Sequence, residues 1–202
     1  LVAEGAGPGE TVALLIPRSG EAIVAILAVL KTGAAYLPID PAHPDERIGF
    51  MLADAAPSVA LSTGELRVRL DGSGVAVIDI ADPVIASRPS TALAVPAAEH
   101  LAYMTYTSGT TGRPKAVAVT HDNVTQLISG LHPDLPSGPG QVWSQWHSLV
   151  FDVSVWEIWG ALLHGGRLVV VPEWVVRSPH DFHALLITEG VTILSQTPSA
   201  LM

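Results

Sequence analysis

TVALLIPRSGEAIVAILAVLKTGAAYLPID, residues 11–40, sets out the order of elements that decides the fold. Residues 11–16 form an apolar run of strand length, residues 20–31 carry apolar side chains at helical spacing, and residues 34–39 form a second short apolar run. Ser19 stands where a helix N-cap belongs and Gly33 where a left-handed helix end belongs. The reading is strand, helix, strand. Short apolar strands linked by a helix imply parallel pairing in a sheet covered on both faces.

The same alternation continues outward. A helix is expected over residues 44–55 with Pro44 near its first turn, a strand over 58–61, a short helix over 65–70 and a strand over 75–80. The Ala/Pro-rich stretch 81–98 reads as a linker. Beyond it come a strand at 101–106, a polar loop to Pro114, a strand at 116–119 and a helix from about residue 120. A helix at 154–164 ends at Gly165 and Gly166, followed by a strand at 167–171, a helix at 179–189 and a strand at 191–194. Residues 196–199 read as a turn opening one more helix. The fold class is α/β, mostly parallel sheets with helices on both faces, in two incomplete subdomains, 1–95 and 96–202.

Composition sets the outer limits. Of 202 residues, 49% are hydrophobic and 14% charged, which suits a packed core rather than a disordered chain. The net charge of −9, without a basic run, speaks against a nucleic-acid surface or an anionic-membrane partner. Residues 22–30, the longest apolar run, fall far short of the roughly 20 residues of a membrane span. Cysteine is absent from the sequence, so thiolate metal sites and cysteine nucleophiles are excluded. A cytoplasmic setting is the expectation. LVAEGAGPGE at the start lacks the basic and apolar regions of a secretory leader and reads as a cut inside a longer gene product.

YTSGTTGRPK, residues 106–115, carries the chemistry. Seven of its ten residues are Thr, Ser, Gly or Lys, placed after a strand and ending in a cation. Gly109 and Gly112 let backbone amides come close to a phosphate, Thr107, Ser108, Thr110 and Thr111 offer hydroxyls, and Lys115 supplies a point charge. Pro114 before the lysine and Ala116 after it break the Walker spacing. The plain alternative is an exposed turn, since Gly, Ser and Thr crowd into loops.

The string resembles the signature loop of adenylate-forming enzymes, the superfamily of acyl-CoA ligases, luciferase-like enzymes and peptide-synthetase adenylation domains. That resemblance implies a loop closing over the β- and γ-phosphates of ATP while a substrate carboxylate attacks the α-phosphate, giving an acyl-adenylate and pyrophosphate. It assigns phosphate contacts to Thr107, Ser108, Gly109, Thr110, Thr111, Gly112 and Lys115, with Lys115 also catalytic. The family usually has glycine where this chain has Ala116. If that position required a positive φ, alanine would carry about 1 to 2 kcal/mol of strain.

LKTGAAYLPID, residues 30–40, and its continuation DPAHPDERIGFMLADA resemble a core motif of adenylation domains in nonribosomal peptide synthetases. Acyl-CoA ligases match it less well. FDVSVWE, residues 151–157, narrows the class further. Ser154 and Glu157 have capping-box spacing, which puts Asp152 just before a helix N-terminus. In the resembled domains the matching aspartate pairs with the substrate α-ammonium. Such a pair at about 4 Å gains about 4 kcal/mol at an effective dielectric near 20.

The resemblance places Val153, Trp156 and Ser195 in the same amino-acid pocket. Trp156 would wall off a short side chain and Ser195 would exchange a hydrogen bond with a side-chain hydroxyl, so serine or threonine is the expected substrate. His147 matches a position near the substrate and is a catalytic candidate, with a packing role as its alternative. The other seven histidines show no metal-ligand spacing, and no metal-ligating residue is assigned in this chain. The implied cofactors are ATP and Mg2+, the metal's ligands lying mostly outside this chain. The implied partners are an amino acid, a carrier-protein domain with a phosphopantetheine arm and, where the parent uses one, a small helper protein.

Adenine, ribose and carboxy-terminal lysine motifs of the family are missing from the sequence, so the 202 residues alone are expected to be inactive. Two rival readings stand beside amino-acid activation. An acyl- or aryl-CoA ligase would leave Asp152 without an ammonium. A noncatalytic binding domain would keep the fold without its chemistry.

Overall fold

The computed structural model describes residues 1–108, 113–130 and 138–197. The chain forms two compact units, Leu1–Asn123 and Val124–Met202.

The first unit follows the order laid out by residues 11–40. Strand β1 (Thr11–Leu15) leads into α1 (Gly20–Thr32) and β2 (Ala35–Pro38). Ser19 Oγ accepts from the Ala22 N–H at 3.1 Å, and Gly33 closes the helix at φ 83°. Both helix ends were therefore written in the sequence. Helix α2 (Asp45–Ala55), β3 (Val59–Ser62), a 3-10 turn (Arg67–Leu70) and β4 (Ala76–Asp79) follow. A second 3-10 turn (Pro83–Ser87) precedes β5 (Leu101–Thr107) and β6 (Lys115–Thr120).

Six strands make one sheet in the order β4-β3-β1-β2-β5-β6. All neighbours run parallel except β5 and β6, which are antiparallel. Successive side chains of β1 point to opposite faces, and Val12, Ala13, Leu14 and Leu15 are all buried, so both faces are covered. Ala13 and Leu15 pack with Ile48, Met51 and Leu52 of α2. The crossovers from β1 to β2 and from β2 to β3 run in opposite directions along the sheet. Right-handed connections then put α1 and α2 on opposite faces.

Strands on either side of residues 81–98 belong to this one sheet, so the division expected at 95/96 lies inside the first unit. A chain segment can leave a sheet and return to it without ending a domain. The antiparallel turn of β6 was also not foreseen, because apolar runs carry no information on strand direction.

Arg69 fixes the segment between β2 and α2. Its Nε donates to Asp45 Oδ1 at 2.7 Å, and its guanidinium also donates to the carbonyls of Pro41 and His43. Ala56 ends α2 in the left-handed region, φ 43° and ψ 56°, without being glycine. That conformation costs an L-residue about 1 to 2 kcal/mol, partly offset in glycine by about 0.5 to 1 kcal/mol of chain entropy. Ala56→Gly should therefore raise the unfolding free energy by about 0.5 to 1 kcal/mol in urea titration. An unchanged or lowered midpoint would contradict it.

Helix α3 (His121–Ser129) begins with a reciprocal cap: the Asn123 N–H donates to Thr120 Oγ1 at 3.2 Å and the Thr120 N–H to Asn123 Oδ1 at 3.1 Å. In the second unit β7 (Val142–Gln145) leads to α4 (Asp152–Leu162), β8 (Arg167–Val170), a single-turn α5 (Glu173–Val176) and α6 (Pro179–Thr188). Strands β7 and β8 are parallel. On the other edge of β7, Trp143 makes one parallel bridge to Ile193. The strand expected over 191–194 is thus a single bridge among the described residues. Residues 198 and 199 of the expected final turn lie outside the described residues.

Candidate functional site

The two halves of the expected site fall in separate units. In the first, β5 ends at Thr107 and β6 begins at Lys115, and antiparallel register sets these two residues opposite each other. Directly opposed residues in such a pair hold their Cβ atoms about 4.5 to 5.5 Å apart. Thr107, Ser108 and Lys115 are all exposed. A threonine and a lysine therefore start from neighbouring positions at the base of the loop. Gly109, Thr110, Thr111 and Gly112 lie outside the described residues.

Ala116 pairs with Tyr106 as an ordinary strand residue, and Ala56 is the only non-glycine with positive φ among the described residues. Alanine after the lysine carries no strain here. Tyr106 anchors the outgoing strand: its hydroxyl donates to Asp54 Oδ2 at 2.7 Å, and its ring meets Phe50 edge-on at 6.1 Å. Burial, with the Asp54 carboxylate beside it, pushes the Tyr106 hydroxyl above the usual phenol range. The hydroxyl stays protonated and remains a donor.

In the second unit, β7 and β8 run parallel, and α4 returns from the carboxyl end of β7. Asp152 is the first helical residue, with Phe151 as N-cap, and its Oδ1 accepts from the Val153 N–H at 2.9 Å. The carboxylate is exposed at the positive end of the helix. Ser195 follows Ile193, so it lies at the same carboxyl edge of the strands as Asp152. That edge is where ligands bind in parallel α/β sheets.

The capping box expected at Ser154 and Glu157 does not form. Ser154 Oγ instead donates to the Phe151 carbonyl at 2.6 Å, and Glu157 is turned inward. Both residues are buried, whereas a capping side chain must bend back toward the free N–H groups of the first turn. Glu157 meets the segment before the helix: its Oε1 lies 2.8 Å from His147 Nδ1, and its Oε2 accepts from the His147 N–H at 3.3 Å. Burial pushes the Glu157 carboxyl up, and contact with His147 pulls it back in part. Gln145, also fully buried, donates from Nε2 to the His147 carbonyl.

Trp156 is half-buried, its ring centroid 4.7 Å from that of the fully buried Trp143, while Val153 is half-buried in the first turn. Among the described residues no group of three or more His, Cys, Asp or Glu side chains is placed to hold a metal ion.

The family described as AMP-binding enzyme matches residues 1–202. The chain belongs to that family. It is 59% identical over 196 residues to an isonitrile lipopeptide synthase of Mycobacterium tuberculosis, covering 97% of this chain and 8% of the synthase. It is 46% identical to a dimodular nonribosomal peptide synthase of Bacillus subtilis, covering 99% of this chain and 9% of that protein. It thus spans under a tenth of either relative. Among solved structures, a nonribosomal peptide synthetase, FmoA3, in an alpha-methyl-L-serine-AMP bound form superposes with a TM-score of 0.90 at 30% identity. The match covers all of this chain and 22% of that one. The same synthetase in its AMPPNP bound form gives a TM-score of 0.89.

Three residues around the candidate site carry little signal in the sequence. Tyr106 stands at the start of the loop string, Glu157 has the spacing of a cap, and Gln145 lies in no motif. Tyr106 and Glu157 meet partners 52 and 10 residues away, which no local motif encodes, and Gln145 bonds a carbonyl 2 residues on only because it is buried beside it. Gly160 is a fourth case. A Cβ there would stand 2.5 Å from Trp143 Cη2 and Cζ3, so only glycine lets α4 lie on that ring. Gly160→Ala should destabilise the protein by about 2 kcal/mol, through overpacking. A melting temperature equal to that of the unsubstituted chain would refute it.

Proposed function

We propose that this chain supplies part of the site at which a nonribosomal peptide synthetase activates an amino acid with ATP, for loading onto a carrier-protein phosphopantetheine thiol. The observation that carries the reading is Asp152, an exposed carboxylate at the N-terminus of α4 and at the carboxyl edge of parallel strands. It is suited to an α-ammonium, which an acyl or aryl acid lacks. In the activation step a substrate carboxylate oxygen bonds to the α-phosphorus of ATP while the bond to the bridging oxygen breaks, and pyrophosphate leaves with its electron pair.

Thr107, Ser108 and Lys115 offer donors and a positive charge suited to a polyphosphate, and Gly109, Thr110, Thr111 and Gly112 complete the proposed loop. Magnesium is expected to accompany the nucleotide, and no step is assigned to it. His147 is proposed to contact the reacting substrate from the segment that leads to Asp152. A small helper protein is a further proposed partner.

Serine or threonine is the proposed substrate. Val153 and the paired rings of Trp156 and Trp143 suit a short side chain, and Ser195 suits a hydroxyl. The alpha-methyl-L-serine-AMP of the solved synthetase supports a small polar amino acid.

The test is ATP–pyrophosphate exchange by the complete synthetase with twenty amino acids and their desamino analogues. Serine or threonine should give the highest rate and its desamino analogue almost none. Equal rates with the analogue would remove the ammonium role from Asp152.

A further inference from the structure

Glu157 has no part in the proposed chemistry, yet it is a fully buried carboxylate at the heart of the second unit. A buried carboxylate is costly unless its oxygens are satisfied. All of its hydrogen bonds go to one place. Oε1 meets His147 Nδ1 at 2.8 Å, Oε2 accepts from the His147 N–H at 3.3 Å, and the Trp146 backbone also donates to it. Gln145 holds the His147 carbonyl from the strand side. The peptide and the ring of His147 are thus gripped by two buried side chains, one from β7 and one from α4. These contacts fix residues 146 and 147, from which the chain runs directly to Phe151 and Asp152.

We infer that Glu157 is a positioning residue for the amino-acid site, acting through His147. When ionised, its carboxylate accepts from Nδ1–H, so a neutral imidazole facing it carries its proton on Nδ1, and Nε2 is the nitrogen that faces away from the buried carboxylate. That is the geometry of a carboxylate-oriented imidazole, in which a buried acid sets the ring plane and leaves the far nitrogen to act. Glutamine at 157 would keep the length and one acceptor oxygen, but its NH2 cannot accept, so one of the two contacts to His147 is lost and the hold on the ring is weakened. The inference rests on the amino-acid-activation reading above.

A double-mutant cycle in the complete synthetase tests it, with amino-acid-dependent ATP–pyrophosphate exchange as the readout and thermal melting as the fold control. Glu157→Gln should lower kcat/KM for the amino acid by about tenfold, the order of loss when a carboxylate that orients an imidazole is weakened. In a His147→Ala background the same change should lower kcat/KM no further than about twofold, because residues acting as a unit are not additive. Independent, multiplying losses would show a merely structural role and overturn the inference. Wild-type kcat/KM in Glu157→Gln would overturn it too.

Should Glu157→Gln fail to fold, the half-buried partner decides: His147→Ala with wild-type kcat/KM overturns the inference, and a tenfold loss with unchanged melting supports it. A wild-type synthetase that exchanges with no amino acid would instead overturn the reading of the site itself, so the two failures are distinct.

Discussion

Asp152→Asn in the complete synthetase should lower kcat/KM for the amino acid by about a thousandfold. The expectation follows from charge and distance. Asparagine keeps the size of the side chain and its acceptor oxygen for the Val153 N–H, and removes only the negative charge. An ammonium about 4 Å from a carboxylate gains about 4 kcal/mol at an effective dielectric near 20, and each 1.4 kcal/mol or so is worth a factor of about ten. The helix N-terminus adds to the effect, since its positive end repels an ammonium once the carboxylate is gone. Pyrophosphate exchange with the amino acid and with its desamino analogue measures this directly. The ratio of the two rates should collapse toward one. A fall of less than about tenfold, or one shared equally by the analogue, would place the ammonium elsewhere.

Lys115→Ala should lower kcat by about a hundredfold, the usual cost of one well-placed charge donor to a developing anion. The prediction depends on the strand pair beneath the loop. Lys115 pairs with Thr107 through its backbone, so removing the side chain leaves the register of β5 and β6 intact. Its side chain is exposed and forms no ion pair among the described residues, so the unfolding free energy should stay within about 0.5 kcal/mol. Single-turnover formation of adenylate separates the chemical step from amino-acid binding. An unchanged rate of adenylate formation would deny Lys115 a phosphate contact.

The sequence was most readable where local rules and burial agree. Ser19, Gly33 and the apolar strands at residues 11–40 each obey a short-range rule, and the fold puts them where those rules require. Legibility failed where the same residue types answer to distant partners. Ser144 and Gln145 are fully buried, so β7 reads as polar, although it lies between β8 and Ile193. Ser154 and Glu157 have the spacing of a cap, but the cap formed instead at Thr120 and Asn123, where both side chains can turn back to the backbone. Asp152 was readable in place, one residue inside the helix rather than before it. The charged edge of the candidate site was thus legible, and the buried polar frame behind it was not.

Among the described residues strand β6 stands last in its sheet, and its residues Lys115 to Ala118 are exposed. Its sequence, KAVAVT, carries a single charge. Unpaired strand borders of low charge template the addition of further strands, and a lysine placed on them is a common safeguard against aggregation. Lys115 therefore has a second occupation, as the gatekeeper of a sticky border, so Lys115→Ala should also make the protein clump at high concentration. Lys115→Glu keeps a charge on the border while repelling phosphate, and a soluble but inactive Glu variant would tell the two occupations apart.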